Sequence, residues 1–342
     1  MSARSVFPAL LLTLSAGLAF PSVPPADEPE LEKARSLLRA GEHKDAAKAF
    51  RKANEAAGGK CFRCQLGLAA AYNGMAKFND AANAAREAAA LAEAAEEQAL
   101  ANQLLGEILL GAAGEKPKKL AEAEQAFREA LALSGEKSPR ARYRLGETLL
   151  KMGRDSEGTA ELERFLRETP EEDFARQARA YLANPRSARE KFAPEFNFAG
   201  LDGSPVRLQD LRGKVVLLDF WAIWCAPCVQ ALPDLKHLAR KKSGEPFVLV
   251  SVSVDQDRAT LEKFVQKNKM SWKQCWDETG KMSRSLFGVT SFPSYLLLDP
   301  EGAVLYSSVG SSFRDTARLF SEVDKAVRKA KEQDLAARPP GS

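Results

Sequence analysis

Two kinds of periodicity divide this chain. From about residue 30 to residue 183, apolar positions recur at helical spacing among many Ala, Leu, Glu, Lys and Arg. That is the pattern of helices burying one face. After Phe192 the pattern changes, and short continuous apolar runs alternate with helical ones. Residues 215–221 (VVLLDFW) and 247–254 (FVLVSVSV) read as buried strands, with further strands at 295–298 and 304–309. Helical patterns fill residues 226–241, 257–269 and 313–333. Strands alternating with helices predict an α/β sheet with helices on both faces.

The helical half repeats itself. Ala46-x3-Phe50-x2-Ala53 recurs as Ala81-x3-Ala85-x2-Ala88 and Ala123-x3-Phe127-x2-Ala130, with a weaker copy at Gly158-x3-Leu162-x2-Phe165. Turns such as Ala40-Gly41, Asn73-Gly74 and Met152-Gly153 precede the copies, and Leu68-Ala69-x2-Tyr72 and Leu145-Gly146-x2-Leu149 fill the matching upstream positions. The period is near that of a tetratricopeptide unit, with an insertion before the third copy. This segment resembles tetratricopeptide repeats, in which small residues let paired helices approach closely and stacked pairs curve into a solenoid. A generic helical bundle is the alternative. Residues 169–171 (TPE) begin one more helix, ending near Asn184-Pro185.

The N-terminus reads as an export signal. Arg4 is the only charge before Asp27, and residues 6–20 (VFPALLLTLSAGLAF) form an apolar core in which Gly17-Leu18-Ala19 offers small residues at the positions a signal peptidase needs. The run is short for a spanning helix, which needs about 20 apolar residues, and Pro8 interrupts it. Residues 1–27 are therefore expected to be a cleaved leader, with an uncleaved anchor as the alternative. The expected destination is the bacterial periplasm, where disulfides persist. A formal net charge of +4 on a chain with 28% charged residues carries no footprint for nucleic acid. A membrane enters only through an uncleaved leader.

Cys225 and Cys228 carry the chemistry. The first follows a strand and the second lies in the first turn of a helix, where unpaired N–H groups and the helix dipole favour a thiolate. Pro227 suits that first turn. Cys225 is expected to be an exposed attacking nucleophile, and Cys228 to resolve the mixed disulfide. A zinc site would need two further Cys or His ligands, and the chain has only His43 and His237 as histidines. No metal and no cofactor beyond the Cys225–Cys228 redox pair is expected.

The sequence DFWAIWCAPC at residues 219–228 resembles the thioredoxin active site. Asp219 matches a buried acid that takes the resolving thiol's proton, Trp224 the tryptophan flanking the nucleophile, and Pro233 the proline within the active-site helix. Ser291-Phe292-Pro293-Ser294 matches the cis-proline loop facing the dithiol, and Gly310 a glycine of the substrate groove. Upstream, residues 193–198 (APEFNF), Asp202-Gly203 and Leu208-x-Asp-Leu-Arg-Gly-Lys214 resemble the TlpA/ResA branch of exported thiol-disulfide oxidoreductases. The likeness covers about residues 192–330. It implies a thioredoxin-like α/β fold with a central mixed sheet. It also implies catalytic roles for Cys225, Cys228, Asp219 and Pro293, and substrate contacts from Trp224, Ala226, Pro227, Phe292 and Gly310. Ala231 stands where relatives of ResA carry a glutamate, and Asp219 where they often carry Asn, so the acid function is expected at Asp219. A hydrogen-bonded core role for Asp219 stays open.

Three cysteines remain. Cys61 and Cys64 begin a repeat helix, facing one side of it within disulfide reach. A structural disulfide is expected, with a second redox pair or unpaired core thiols as alternatives. Gln65 follows Cys64, so the CxxCH of haem attachment is absent. Cys275, between Trp272 and Trp276, is expected to be buried and inert.

The expected organisation is a leader (1–27), tetratricopeptide-like helices (28–190), a thioredoxin-like domain (191–335) and a disordered tail (336–342). The expected function is exchange of the dithiol with disulfides of a partner protein docked by the repeats, with an unnamed upstream electron donor. Ala226-Pro227 offers no cation to stabilise Cys225, which favours a reductase or isomerase over a strong oxidant. The alternative is a repeat-based scaffold or adaptor with minor redox activity.

Overall fold

The computed structural model describes residues 28–114, 116–168, 172–310 and 312–337. The expected leader and the start of the last repeat helix at 169–171 lie outside the described residues. The chain forms two compact units that divide between Arg189 and Glu190.

The first unit is helical: α1 (Glu28–Arg39), α2 (His43–Ala56), α3 (Phe62–Gly74), α4 (Phe78–Leu91), α5 (Ala95–Ala113), α6 (Pro117–Leu133), α7 (Pro139–Lys151), α8 (Asp155–Leu166) and α9 (Glu172–Ala183). Each helix packs on the next. The repeated positions fall on α2, α4, α6 and α8, and their side chains are buried: Phe50, Ala85, Phe127 and Leu162 carry the core. Glycine explains how close the helices come. A Cβ on Gly67 would lie 2.3 Å from the Phe50 ring, and one on Gly106 would lie 2.6 Å from Phe127. The first positions, Ala46, Ala81, Ala123 and Gly158, are separated by 35, 42 and 35 residues. The long interval contains α5, which has 19 residues against 13 in α3, so lengthening one helix absorbs most of the insertion.

Cys61 is the N-cap of α3 and is disulfide-bonded to Cys64. The bridge closes one helical turn, so its constraint on the unfolded chain is small. Replacing both cysteines with Ser should cost about 1–3 kcal/mol, the low end for disulfides, and leave insulin reduction intact. Urea denaturation of the oxidised protein measures the first, and a turbidity assay the second.

The second unit holds β1 (Asn197–Gly200), β2 (Pro205–Arg207), β3 (Val215–Trp221), α10 (Ala226–Lys241), β4 (Phe247–Ser253), α11 (Arg258–Lys267), β5 (Lys273–Trp276), α12 (Lys281–Phe287), β6 (Ser294–Leu298), β7 (Val304–Val309) and α13 (Phe313–Ala337). The strands form one mixed sheet in the order β2-β1-β5-β4-β3-β6-β7. Strands β3, β4 and β5 run parallel, and β3 pairs antiparallel with β6. Every residue of β3 is buried, as expected of a central strand covered on both faces. On one face Val215, Leu217 and Leu249 pack with Leu235 and Leu238 of α10 and with Leu319 and Val323 of α13. On the other, Val216, Leu218 and Phe220 pack with Phe198, and Phe287 of α12 rests on them.

The sequence pattern missed β1, β2, β5 and α12. These elements have 4, 3, 4 and 7 residues, too few for a period to declare itself. Helix α13 extends through Ala337, two residues into the segment expected to be a disordered tail. Its last residues, Glu332 to Ala337, are mostly good helix formers, which explains the correction. Residues 338–342 lie outside the described residues.

Candidate active site

Strand β3 delivers the chain to the first turn of α10. There Cys225 is the N-cap, and its Sγ accepts the N–H of Cys228 at 3.3 Å. The two cysteines are disulfide-bonded. Cys225 is 6% exposed and Cys228 2%. The nucleophile is thus more exposed than its partner but less open than expected. In the disulfide both cysteines pack against Trp221, Ala222 and Leu232, with Phe292 alongside. Ala226 and Pro227 are exposed in the first turn, and Pro233 lies inside α10.

The cis-proline loop stands next to this turn. The Phe292–Pro293 peptide is cis. The exposed Trp224 ring meets Phe292 edge-on, 5.7 Å between centroids. Gly310 donates its N–H to the Pro293 carbonyl at 2.8 Å. Its φ of +97° lies where side chains other than glycine are strained. Trp224, Phe292 and the exposed Val309, paired with Ser294 across β6 and β7, give the site an apolar border.

Asp219 is buried at 1% exposure between Leu217 and Trp221, on the sheet face that α10 covers. Ser251 Oγ donates to Asp219 Oδ2 at 2.7 Å, and Trp272 Nε1 donates to Ser251 Oγ at 2.8 Å. Asp219 Oδ1 has no hydrogen-bond partner among the described residues. Burial outweighs the Ser251 hydrogen bond and pushes the carboxyl up to about 7. An acid of that strength can both hold and release a proton at neutral pH.

One residue escaped the sequence analysis. Asp255, just past β4, accepts the N–H of Ile223 at 3.2 Å on Oδ1 and 3.0 Å on Oδ2. Ser253 Oγ donates to the same carboxylate at 2.8 Å, and the Asp255 carbonyl accepts from Trp276 Nε1 at 2.6 Å. Asp255 therefore ties down the loop that presents Trp224 and Cys225. Its only sequence signal is an acid closing an apolar strand. Asp255→Ala should cost about 1–3 kcal/mol through the orphaned donors and slow the first attack by Cys225. Asp255→Asn, which keeps an acceptor, should restore most of both, as urea denaturation and iodoacetamide trapping of Cys225 would show.

Cys275 is apart from this chemistry. It packs with Phe198 and Phe220 on the opposite sheet face, and burial pushes its thiol up to about 12. His237 is exposed on α10.

A helix-capping dithiol, a buried acid behind it and a cis-proline loop beside it define a thiol-disulfide exchange site on a thioredoxin-like domain. Residues 188–327 match the Redoxin family, and residues 116–182 match the tetratricopeptide repeat. The chain is 30% identical over 130 residues to the thiol-disulfide oxidoreductase ResA of Geobacillus thermodenitrificans, covering 38% of this chain and 74% of that protein. It is 31% identical over 122 residues to the thioredoxin-like protein YneN of Bacillus subtilis, covering 35% and 70%. A solved thioredoxin domain of a thiol-disulfide oxidoreductase from Bacteroides vulgatus is 27% identical, spans 40% of this chain and 96% of its own, and superposes with a TM-score of 0.37. The chain belongs to the ResA and YneN family of thiol-disulfide oxidoreductases.

Proposed function

We propose that this protein is an exported protein-disulfide reductase or isomerase. The carrying observation is the cap geometry: Cys225 Sγ lies at a helix N-terminus, where it accepts the Cys228 N–H. The same geometry favours a thiolate in the reduced protein. Cys225 attacks a partner's disulfide, and the electron pair of the broken bond leaves on the partner's sulfur. Cys228 then loses its proton to Asp219 and attacks Cys225, releasing the partner as a dithiol. Trp224, Phe292 and Val309 receive the apolar flank of the partner's peptide, with Ala226, Pro227, Pro293 and Gly310 shaping the contact. The absence of any charged side chain from Phe220 to Pro233 favours the reductive direction. The repeat helices dock the partner. The apolar run at residues 6–20 supports export.

Insulin reduction with dithiothreitol tests this reading. Catalysed precipitation is the expected result. A rate equal to the uncatalysed one would favour the scaffold alternative.

A further inference from the structure

We propose that Cys61 and Cys64 form a second thiol-disulfide exchange pair, more oxidising than Cys225 and Cys228, which accepts electrons from an incoming dithiol. The basis is a local build that occurs twice. Cys61 caps α3 as Cys225 caps α10. Cys61 Sγ accepts the N–H of Cys64 at 3.0 Å, against 3.3 Å for the Cys228 N–H to Cys225 Sγ. The first cysteine is 6% exposed in both pairs, and the second is 1% exposed at Cys64 and 2% at Cys228. An attacking thiol therefore meets the same degree of cover at either pair. As a staple the Cys61–Cys64 bond sits at the low end for disulfides, because it joins residues already held by one helical turn and links no two elements. The turn before the pair is exposed: Gly58 and Gly59 form it, and a Cβ on either would meet no atom within 4 Å.

The charges around the two pairs differ. Lys60 precedes Cys61, and Arg63 lies between the cysteines. The Cys225 motif has no cation in the corresponding places, and the carboxylates of Asp219 and Asp255 lie on its side of the sheet or against its loop. Across from α3, Asn54 of α2 accepts the Cys61 N–H at 3.2 Å, and Glu87 of α4 accepts from Gln65 Nε2 at 2.6 Å. Glu87 lies on the Gln65 side of the turn, while along the sequence Lys60 and Arg63 stand on either side of Cys61. Cations beside a helix-capping sulfur stabilise its thiolate, and hence the reduced pair. A pair whose reduced form is stabilised is the better oxidant.

The exchange balances as follows. The incoming thiolate attacks Cys61 Sγ, the Cys61–Cys64 bond breaks, and Cys64 leaves as a thiolate that takes a proton from solvent. The donor's second thiolate then attacks the donor's first sulfur, closes the donor's disulfide and releases Cys61 as a thiolate. Two electrons pass from donor dithiol to acceptor disulfide. The reduced Cys225/Cys228 pair of another copy is one such donor.

A redox titration of the full chain tests this. The protein is equilibrated in graded mixtures of reduced and oxidised glutathione, quenched with acid and alkylated, and each pair is read separately by peptide mass spectrometry. Cys61/Cys64 should become half-reduced in buffers about tenfold or more less reducing than Cys225/Cys228 requires, a difference of about 30 mV or more for a two-electron couple. Far-UV circular dichroism should not change across its transition. Arg63→Gln should make Cys61/Cys64 harder to reduce and leave the Cys225/Cys228 midpoint in place. Lys60→Gln, at an exposed turn residue, should act in the same direction if the Arg63 variant does not fold. A Cys61–Cys64 bond that persists where Cys225/Cys228 is fully reduced would overturn the proposal, as would reduction only with loss of helix. Because each pair is read separately, a silent Cys225/Cys228 pair would count against the proposed reductase function and not against this site.

Discussion

Cys225→Ser will show no insulin reduction above the uncatalysed rate, and Cys275→Ser will keep nearly all of the parent's. A serine hydroxyl at position 225 can still accept the Cys228 N–H that Cys225 Sγ accepts at the start of α10, but it is too weak an acid to supply a nucleophile at neutral pH. Cys275 lies on the other face of the sheet, packed with Phe198 and Phe220. With its thiol pushed up to about 12, about one molecule in 10⁵ carries the thiolate at pH 7. Cys228→Ser completes the series. It keeps the attacking sulfur and loses the resolving one, so a mixed disulfide on Cys225 should accumulate and be seen by non-reducing electrophoresis. A large loss of activity in Cys275→Ser would show that its burial has been misjudged.

Asp219→Asn should slow resolution of a preformed mixed disulfide by about 10²–10⁴-fold, the usual worth of a positioned general base. The first attack by Cys225 should be spared. In the parent, the carboxyl titrates near 7, so the resolving step should accelerate through that pH as the base ionises. The Asn variant should lack that inflection. Stopped-flow kinetics from pH 6 to 9 isolate the step, and parent-like rates throughout would make Asp219 a core residue only.

The same carboxyl bears on stability with a definite sign. Unfolded, it titrates near 3.8, and folded near 7. Between those values the native state holds a proton that the unfolded chain has lost. Stability therefore falls as pH rises across that window, by on the order of 4 kcal/mol for one buried acid, and levels off above it. Asp219→Asn removes this loss. Its melting temperature should match the parent's near pH 4 and exceed it at pH 8, while its resolving step is slower.

What the sequence disclosed follows from what repeats or runs long enough to be seen. The runs of β3 and β4 were legible because central strands are apolar on both faces, and the structure ends β4 only one residue early, at Ser253. The repeat positions were legible because a small residue recurs wherever two helices touch, as Gly106 does under Phe127. Asp219, Trp224 and the Phe292-Pro293 loop came from motif spacing. Asp255 did not, because its role is to accept a backbone N–H from Ile223, and any residue but proline can supply one. Nor could spacing show that Cys225 is covered by its neighbours, or that Asp219 keeps one oxygen without a hydrogen-bond partner among the described residues.

The sulfur caps have a practical consequence. In each CxxC turn, one backbone amide, that of Cys64 or Cys228, points its proton at the sulfur whose bonding changes on reduction. The resonance of that proton is a built-in gauge. Two peaks in a nitrogen–proton correlation spectrum would report the state of each pair separately, without a dye, an alkylating reagent or a substrate.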